Sequence, residues 1–516
     1  MTADEARPPL VREGRPYWER GWFWLLLALV SALPFVVAPL PVMPDHFAHV
    51  ARYHVMLTHA DSAFLQRYFS LEWRLIGNLG VDGLVLVLGR FMPVEAAATL
   101  AVALVPVLTV AGIHALAKAA HGRVPATALL ALMMVWTFTF SYGFENYHLS
   151  LALALLVAAL WVRLAEADQR WRALAMAPLS LLVWLAHVSG WGVMGLVILG
   201  WEWARARGKT PDAGLAVRLG RIMLRMLPLA APFALFVFWT PSAMSDLSMA
   251  GPLYKMFFVW DMFRAELIWL DRLLVVAMAM LVTALLVRLW PRRNPGMFAA
   301  AVLLLVAFLF MPRAVLGSYF ADQRLLPAFG IMLVLALPAP GRRAAMRLAV
   351  VALALFGVRM AEMSLGWWQR GRLLQAELVA MDHVPRGARV AAMARMSGCA
   401  GGVLSGHDHL ADYVITRRDG FANTQWDVAG AQLVRPIYNR GRGYNHDGSV
   451  FIGDSRYPRC YGRPLDEMVD GLPRDRFDFV WTFDAPVVRP WLEPVFKGPH
   501  GRLYRVLAPP AGPNTR

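Results

Sequence analysis

Long apolar runs recur along the first three-quarters of the chain. The first lies in "WERGWFWLLLALVSALPFVVAPL" (18–40), whose apolar part is about 20 residues, enough to cross ~30 Å of hydrocarbon at ~1.5 Å per residue. It has no clear small-x-small cleavage site, so we expect an uncleaved anchor and not a signal peptide. Together the runs predict about eleven membrane-spanning helices. The later runs fall at roughly 94–117, 124–141, 146–164, 173–188, 190–205, 219–239, 271–290, 296–312, 326–340 and 345–365.

The connections between these runs alternate sharply in basic charge. One alternate set is rich in lysine and arginine, whereas the other carries few. The positive-inside rule therefore predicts a cytoplasmic location for the basic set and for the N-terminus. The basic set contains Lys118, Arg123, Arg163, Arg170, Arg172, Arg205, Arg207, Lys209, Arg218, Arg221, Arg225, Arg288, Arg292, Arg293, Arg342, Arg343 and Arg347.

One further apolar stretch, "WRLIGNLGVDGLVLVLGRFM" (73–92), does not fit this alternation. If it crossed the membrane, it would reverse the sidedness of residues 41–93 relative to everything after them. We therefore expect a helix lying in the outer interface, with Asp82 and Arg90 on its polar side, within a first outer loop at 41–93 that holds two interfacial helices. A twelfth span with Asp82 facing inward is the alternative.

The tail beyond Trp368 has a different pattern. Its apolar runs shorten to strand length in "ARVAAMA" (388–394), "DYVITR" (412–417), "FDFVWTF" (477–483) and "GRLYRVL" (501–507), separated by Gly-, Pro- and Asp-rich turns. This predicts a transmembrane domain at 1–368 and a soluble α/β domain at 369–516, which an odd number of spans places outside the cytoplasm. Both cysteines, Cys399 and Cys460, fall in this tail and predict a disulfide, with two lone buried thiols as the alternative.

Composition agrees with a polytopic membrane protein. Hydrophobic residues make up 58% of the chain, charged residues 17%, and the mean hydropathy is +0.47. The net charge of +16 would suggest nucleic acid in a soluble protein. No RNA- or DNA-binding motif accompanies it, so we expect no nucleic-acid partner.

A polar cluster follows the first run directly, in "PLPVMPDHFAHVARYHVML" (39–57). Asp45, His49 and Arg52 fall at i, i+4 and i+7, which is one face of a helix. That face combines a base, a hydrogen-bonding group and a cation. The alternative is an interfacial helix with Asp45 as its N-cap. His46 and His49 with Asp45 could also bind zinc, but the sequence has neither HExxH nor a Cys/His frame, so we expect no metal or other cofactor.

Further candidate substrate-binding residues lie near the same predicted face of the membrane. They are Asn146 and His148 in "GFENYHL" (143–149), His187 in "LAHVSGWG" (185–192), Lys255, and Asp322 and Arg324 in "GSYFADQRLLP" (317–327). An arginine at the outer leaflet suits a lipid phosphate, although Asp322 could simply pair with Arg324. His121, His500 and the histidines of "HDH" (407–409) are expected to be solvated.

This constellation resembles the GT-C class of membrane glycosyltransferases, which use polyprenyl-phosphate sugars as donors. The resemblance rests on Asp45 within "MPDHFAHVAR" directly after the first span, on the three segments just quoted, and on the order of bundle and outer domain. It implies a mainly α fold, a transmembrane helical bundle with an extracytoplasmic C-terminal α/β domain. Several members carry paired acidic residues and a divalent metal. Here Asp45 has no near acidic neighbour, since Asp61 is sixteen residues away, and this is more similar to the metal-independent members.

The resemblance further implies transfer of a hexosyl or pentosyl group from a polyprenyl-phosphate-linked sugar to a glycan, lipid or protein acceptor, at the outer face of a bacterial inner membrane. Asp45 and His49 would be catalytic, with Asp45 as the general base. Two alternatives stay open: a lipid or polysaccharide transporter or flippase, and a non-catalytic envelope-assembly protein. Convergence of Asp45, His49 and Arg324 on one cavity would favour the enzyme.

Overall fold

A computed structural model describes residues 15–236, 248–249, 251–315, 319–397, 403–428, 430–453 and 462–507. Cys399 and Cys460 lie outside these residues, and so does the pairing predicted for them.

The chain is an integral membrane protein built mainly from helices, as the sequence predicts. Among the described residues, four helical segments are long and apolar enough to cross a membrane: Val94–His121, Glu145–Arg163, Ile268–Arg292 and Arg342–His383. Shorter apolar helices pack with them, at Gly21–Ser31, Ala126–Tyr142, Pro295–Phe310 and Leu325–Leu335.

The helices up to residue 377 run in chain order as follows: α1 (Gly21–Ser31), α2 (Leu33–Val37), α3 (His46–Thr58), α4 (Ala63–Tyr68), α5 (Gly80–Leu88), α6 (Val94–His121), α7 (Phe138–Tyr142), α8 (Glu145–Arg163), α9 (Gln169–Ala186), α10 (Val188–Lys209), α11 (Leu215–Met226), α12 (Phe233–Phe236), α13 (Pro252–Trp260), α14 (Ile268–Leu289), α15 (Pro295–Phe310), α16 (Leu325–Leu335) and α17 (Arg342–Glu377). The core of the bundle lies between α6, α8, α10 and α15.

Two predicted spans have a different form. The run at 124–141 contains a fully buried 3₁₀ segment, Ala126–Met134, followed by the short α7. The run at 219–239 is not one helix, because α11 ends at Met226 and proline residues at 228 and 232 follow. Proline lacks the amide hydrogen that an uninterrupted helix needs.

The stretch at 73–92 forms only α5, which has nine residues. At ~1.5 Å per residue α5 is about 14 Å long, well short of the ~30 Å needed to cross a membrane. Arg90 is exposed, but Asp82 is 2% exposed, so the prediction of Asp82 on a water-facing side is wrong. Asp82 is buried because Arg52 on α3 pairs with it through two hydrogen bonds of 3.1 Å.

The C-terminal region contains a five-stranded mixed sheet, built from β2 (Arg389–Met393), β3 (Phe421–Ala422), β5 (Phe479–Phe483), β6 (Leu492–Lys497) and β7 (Gly501–Val506). The strand order in the sheet is β3-β2-β5-β7-β6. Strand β2 pairs in parallel with β3 and β5, while β7 pairs antiparallel with β5 and β6. The helices of this region are α18 (His407–Leu410), α19 (Tyr413–Arg418) and α20 (Leu465–Asp470). Three of the four predicted strands are confirmed. "DYVITR" instead forms α19, whose Tyr413 packs on Phe47 of α3 with ring centroids 5.6 Å apart.

A small second sheet joins the first loop to the C-terminal region. Strand β1 (Phe69–Leu71) pairs antiparallel with β4 (Val434–Pro436). Beside it, Asp419 accepts hydrogen bonds from Ser62 at 3.1 Å and from the His54 ring at 2.8 Å. These contacts fix the loop that carries Asp45 against the C-terminal region.

Candidate active site

A cavity of about 790 Å³ lies where the first loop, the helical bundle and the C-terminal region meet. Five predicted site residues line it: Asp45, His49, Asn146, His187 and Arg324. The helical part also contributes Asn78, Tyr142, Phe144, Glu145, Tyr147, Tyr254, Arg313, Tyr319 and Phe320, and the C-terminal region contributes Met396, His409, Trp426, Val428, Ala431, Gln432, Gly448 and Phe451.

Asp45 occupies the position just before α3. Although this is the N-cap position, its side chain makes no capping hydrogen bond. Its backbone N–H donates to the Tyr142 carbonyl at 3.0 Å, which brings it against Gly143. A Cβ on Gly143 would lie 2.7 Å from the Asp45 Cβ, and Gly143 has φ +120°, so only glycine permits this approach.

The Asp45 carboxylate makes no hydrogen bond or ion pair within the described part of the chain, unlike the nearby Glu145. Glu145 is held by the His46 ring at 2.5 Å and by the Tyr53 hydroxyl, which donates to it at 3.1 Å. Asp45 is therefore the carboxylate of the cavity that is left for a ligand.

Burial raises the pKa of Asp45 to about 7. The charges of His409 and Arg324 lower this pKa, whereas those of Asp408 and Glu145 raise it. A carboxyl group with this pKa is an effective proton acceptor near neutral pH.

His49 lies one turn further along α3. Its Nε2 is 3.2 Å from the Gly143 carbonyl oxygen, which can only accept, so Nε2 carries the hydrogen. Burial, and then the charge of Arg52, hold the pKa of His49 well below its usual value. His49 is therefore a neutral imidazole beside Asp45.

Two arginines give the cavity positive charge. Arg324, just before α16, places its guanidinium 4.7 Å from the centre of the Phe144 ring. Burial lowers the pKa of Arg324 to about 10, which leaves it protonated at neutral pH. Arg313 lies between the rings of Tyr254 and Phe320, at 5.0 and 5.2 Å from their centres, and has no carboxylate partner among the described residues.

Asn146 and His187 line the cavity but also support its wall. The Asn146 amide donates to Asp82 at 2.8 Å, and its oxygen accepts from the Val81 N–H at the start of α5. His187 caps α10, where its Nδ1 accepts from the Ser189 N–H at 3.0 Å.

Four predicted substrate-binding residues lie behind the lining. Arg52 pairs with Asp82, and His148 contacts the Thr139 hydroxyl at 2.9 Å. Lys255 donates to Asp322 at 3.1 Å. Asp322 thus forms an ion pair with Lys255, whereas the sequence suggested Arg324 as its partner.

The sequence analysis did not predict that residues of the C-terminal region line the cavity. His409 was expected to be solvated, and that prediction is wrong: it is 5% exposed, and His407 is 7% exposed. His409 packs on Trp426 with ring centroids 4.6 Å apart, and Trp426 also contacts His49 at 5.2 Å. The i, i+3 spacing of His409 and Asp412 was the available local signal, but nothing in it indicates that Asp45 lies opposite.

Within the described residues, no group of three or more His, Cys, Asp or Glu side chains is arranged to hold a metal ion.

The helical bundle, the long first loop and the C-terminal mixed sheet together form a fold that is known from solved structures. A solved structure with this fold is ArnT from Cupriavidus metallidurans in the apo state, at 14% identity and a TM-score of 0.51, over 94% of this chain and 97% of that one. The same ArnT bound to undecaprenyl phosphate matches at 14% identity and a TM-score of 0.49, over 96% and 99% of the two chains. No protein-family model and no curated protein matches the sequence. The predicted fold class is confirmed.

Proposed function

We propose that this chain is a membrane glycosyltransferase that moves a sugar from a polyprenyl-phosphate donor to an acceptor of the bacterial cell envelope, at the outer face of the inner membrane. The observation that carries the proposal is a single cavity in which the unpaired carboxylate of Asp45 shares the space with the guanidinium groups of Arg313 and Arg324.

The chemistry makes modest demands on these groups. The acceptor oxygen forms a bond to the anomeric carbon while the bond from that carbon to the phosphate oxygen breaks. Its electron pair leaves with the lipid phosphate, which needs no protonation. The acceptor hydroxyl proton passes to Asp45, and the arginines stabilise the charge that develops on the phosphate.

The remaining predicted residues divide by position. His49, Asn146 and His187 line the cavity and are placed to contact the sugar or the acceptor. Arg52, His148, Lys255 and Asp322 lie behind it, and we assign them to holding the wall in place. From the basic connections we infer that the N-terminus is cytoplasmic and that the cavity and the C-terminal region lie outside the cytoplasm.

The purified protein tests the proposal when it is incubated with polyprenyl-phosphate-linked hexoses and pentoses and an envelope lipid extract. We expect Asp45→Asn to express and insert normally and to lose transfer by roughly 10²–10⁴-fold, because the amide cannot accept the proton. Asp61→Asn is the matched control, since Asp61 is exposed in the same loop.

Transfer by Asp45→Asn at the wild-type rate would contradict the assignment of the base. If the wild-type protein transfers no sugar from any donor, the non-catalytic or transport alternatives replace the enzyme.

A further inference from the structure

One wall of the cavity comes from the C-terminal region, and His409 is its titratable member. His409 belongs to the short helix α18 and is almost completely buried, yet it lines the same cavity as Asp45. The helices α18 and α19 pack directly on α3, so the positions of His409 and Asp45 are fixed relative to each other.

The orientation of the His409 ring is set by a carboxylate behind it. Its Nδ1 is 3.3 Å from an oxygen of Asp412, and the other oxygen of Asp412 accepts from the Thr424 hydroxyl at 2.7 Å. Asp412 is fully buried. Nδ1 therefore carries a hydrogen toward Asp412, and Nε2, which makes no hydrogen bond in the described part of the chain, is left for the cavity.

The charges around His409 favour its protonated form. Burial alone would lower its pKa, but Asp412, Asp408 and Asp45 raise the pKa of His409 to about 9. The charged groups with the strongest effect on Asp45 are His409, Asp408, Glu145 and Arg324, while Arg313 and the neutral His49 line the same cavity. Among them His409 has the largest effect and stabilises the carboxylate form.

We propose that His409 is a positioning residue of the transferase site: an imidazolium held by Asp412 that lies in the same cavity as Asp45 and favours the carboxylate form of Asp45. This rests on the proposed function and deepens it, because it makes the C-terminal region part of the active site and not a separate docking module.

The proposal sets the direction of a pH effect. Asp45 can act as a base only when ionised, so transfer should fall as the pH drops through its pKa. Loss of the cation at position 409 raises the pKa of Asp45. The acidic limb of the pH–rate profile, where transfer falls as Asp45 becomes protonated, therefore moves to higher pH. Above about pH 9 the wild-type His409 is itself neutral, and the two proteins should converge.

The test compares kcat/KM for His409→Gln and wild type from pH 5.5 to 9.5. A removed neighbouring cation shifts a carboxyl pKa by about one unit or more, so we expect transfer to fall roughly tenfold or more below neutral pH and to recover at high pH. His409→Lys keeps the charge and should restore the wild-type acidic limb. His407→Gln is the control on the same helix, because His407 packs on Phe483 and does not line the cavity.

A second readout needs no transfer activity. The protonated carboxyl of Asp45, assigned by its absence in Asp45→Asn, can be titrated by infrared difference spectroscopy in wild type and in His409→Gln. An unchanged Asp45 midpoint would overturn the proposal even if the protein is a transferase. A raised midpoint would support it even if no donor is turned over.

If His409→Gln does not fold, ¹⁵N-histidine spectra of the wild-type protein decide, with the signal assigned by its loss in His409→Lys. An imidazolium at pH 7 supports the proposal, and a neutral ring overturns it.

Discussion

The two walls of the cavity differ in how they are built. The wall formed by the first loop and the bundle carries its functional groups where helices begin: Asp45 before α3, Arg324 before α16 and His187 before α10. The C-terminal wall carries His409 on the four-residue helix α18 and Trp426 in the loop that follows β3. In the proposed reaction the first wall supplies the base and the cations, and the second supplies a charge that acts on the base.

Because of this difference, the charge state of Asp45 depends on how the two walls of the cavity come together. Asp45 alone in a buried pocket would favour its protonated form, because burial opposes charge. The function that we propose for Asp45, that of a base, would therefore depend on groups from elsewhere in the chain, namely Arg324 from the bundle and His409 from the C-terminal wall.

The largest effect in this comparison is expected on the wall formed by the first loop and the bundle, at Arg324, which we propose binds the phosphate of the lipid donor. Arg324→Ala should lower kcat/KM for the lipid donor by roughly 10²-fold and affect the acceptor KM less, because a guanidinium binds the phosphate and not the acceptor hydroxyl. Arg272→Ala is the matched control, since Arg272 pairs with Asp261 and does not line the cavity. Donor kinetics and direct lipid binding measure the effect, and unchanged lipid binding in Arg324→Ala would reassign that arginine to support of the wall.

A smaller effect is expected where the backbone positions Asp45. Gly143→Ala places a Cβ 2.7 Å from the Asp45 Cβ, and the positive φ of residue 143 strains any side chain there. A displacement of the base by about 1 Å can cost up to ~10² in rate, so we expect a loss of roughly 10- to 100-fold in kcat with donor binding retained.

Gly83→Ala in α5 is the control for Gly143→Ala, because a Cβ there meets nothing within 4 Å. If Gly143→Ala were as active as Gly83→Ala, the position of Asp45 would not depend on this close approach.

The same difference between the walls explains what the sequence could predict. Asp45, His49 and Arg324 lie at or near the ends of apolar runs, where a buried or membrane-edge charge is costly and so stands out. Hydropathy and charge asymmetry therefore predicted the helical fold and the candidate residues on the wall formed by the first loop and the bundle. They could not show that Arg52, chosen for its place on the face of α3, turns to Asp82 on α5, because that pairing depends on tertiary packing.

The C-terminal wall gave weaker signals. "DYVITR" has the β-branched composition of a strand, but Tyr413 packs on α3 and the segment is helical, so tertiary contacts override local propensity. His409 faces a residue more than 350 positions earlier in the chain. Nothing local encodes that contact, and a polar "HDH" run is typical of a solvated loop.

The smallest effect concerns the junction that holds the two walls together. Asp419 accepts hydrogen bonds from His54 and Ser62 of the first loop and from Arg386, and it lies in the left-handed region with φ 49°, which asparagine also tolerates. Asp419→Asn should therefore remove the charge and leave the backbone unchanged. We expect it to destabilise the protein by about 1–3 kcal/mol, measured by thermal unfolding in detergent.

The pH dependence of that loss identifies its origin. Burial would raise the pKa of Asp419, but the hydrogen bonds from His54, Arg386 and Ser62 outweigh it and the pKa is lowered. A carboxyl with a depressed pKa stabilises the fold above its unfolded value of ~3.9, and the stabilisation disappears as the pH falls through the folded pKa. The difference in unfolding free energy between wild type and Asp419→Asn should thus be at its maximum at pH 7 and decrease in acid.

Glu95→Gln is the comparison variant, because it removes the more exposed ion pair between Glu95 and Arg417, and it should cost at most about 1 kcal/mol. Equal losses in the two variants would mean that the first loop is not held to the C-terminal wall through Asp419.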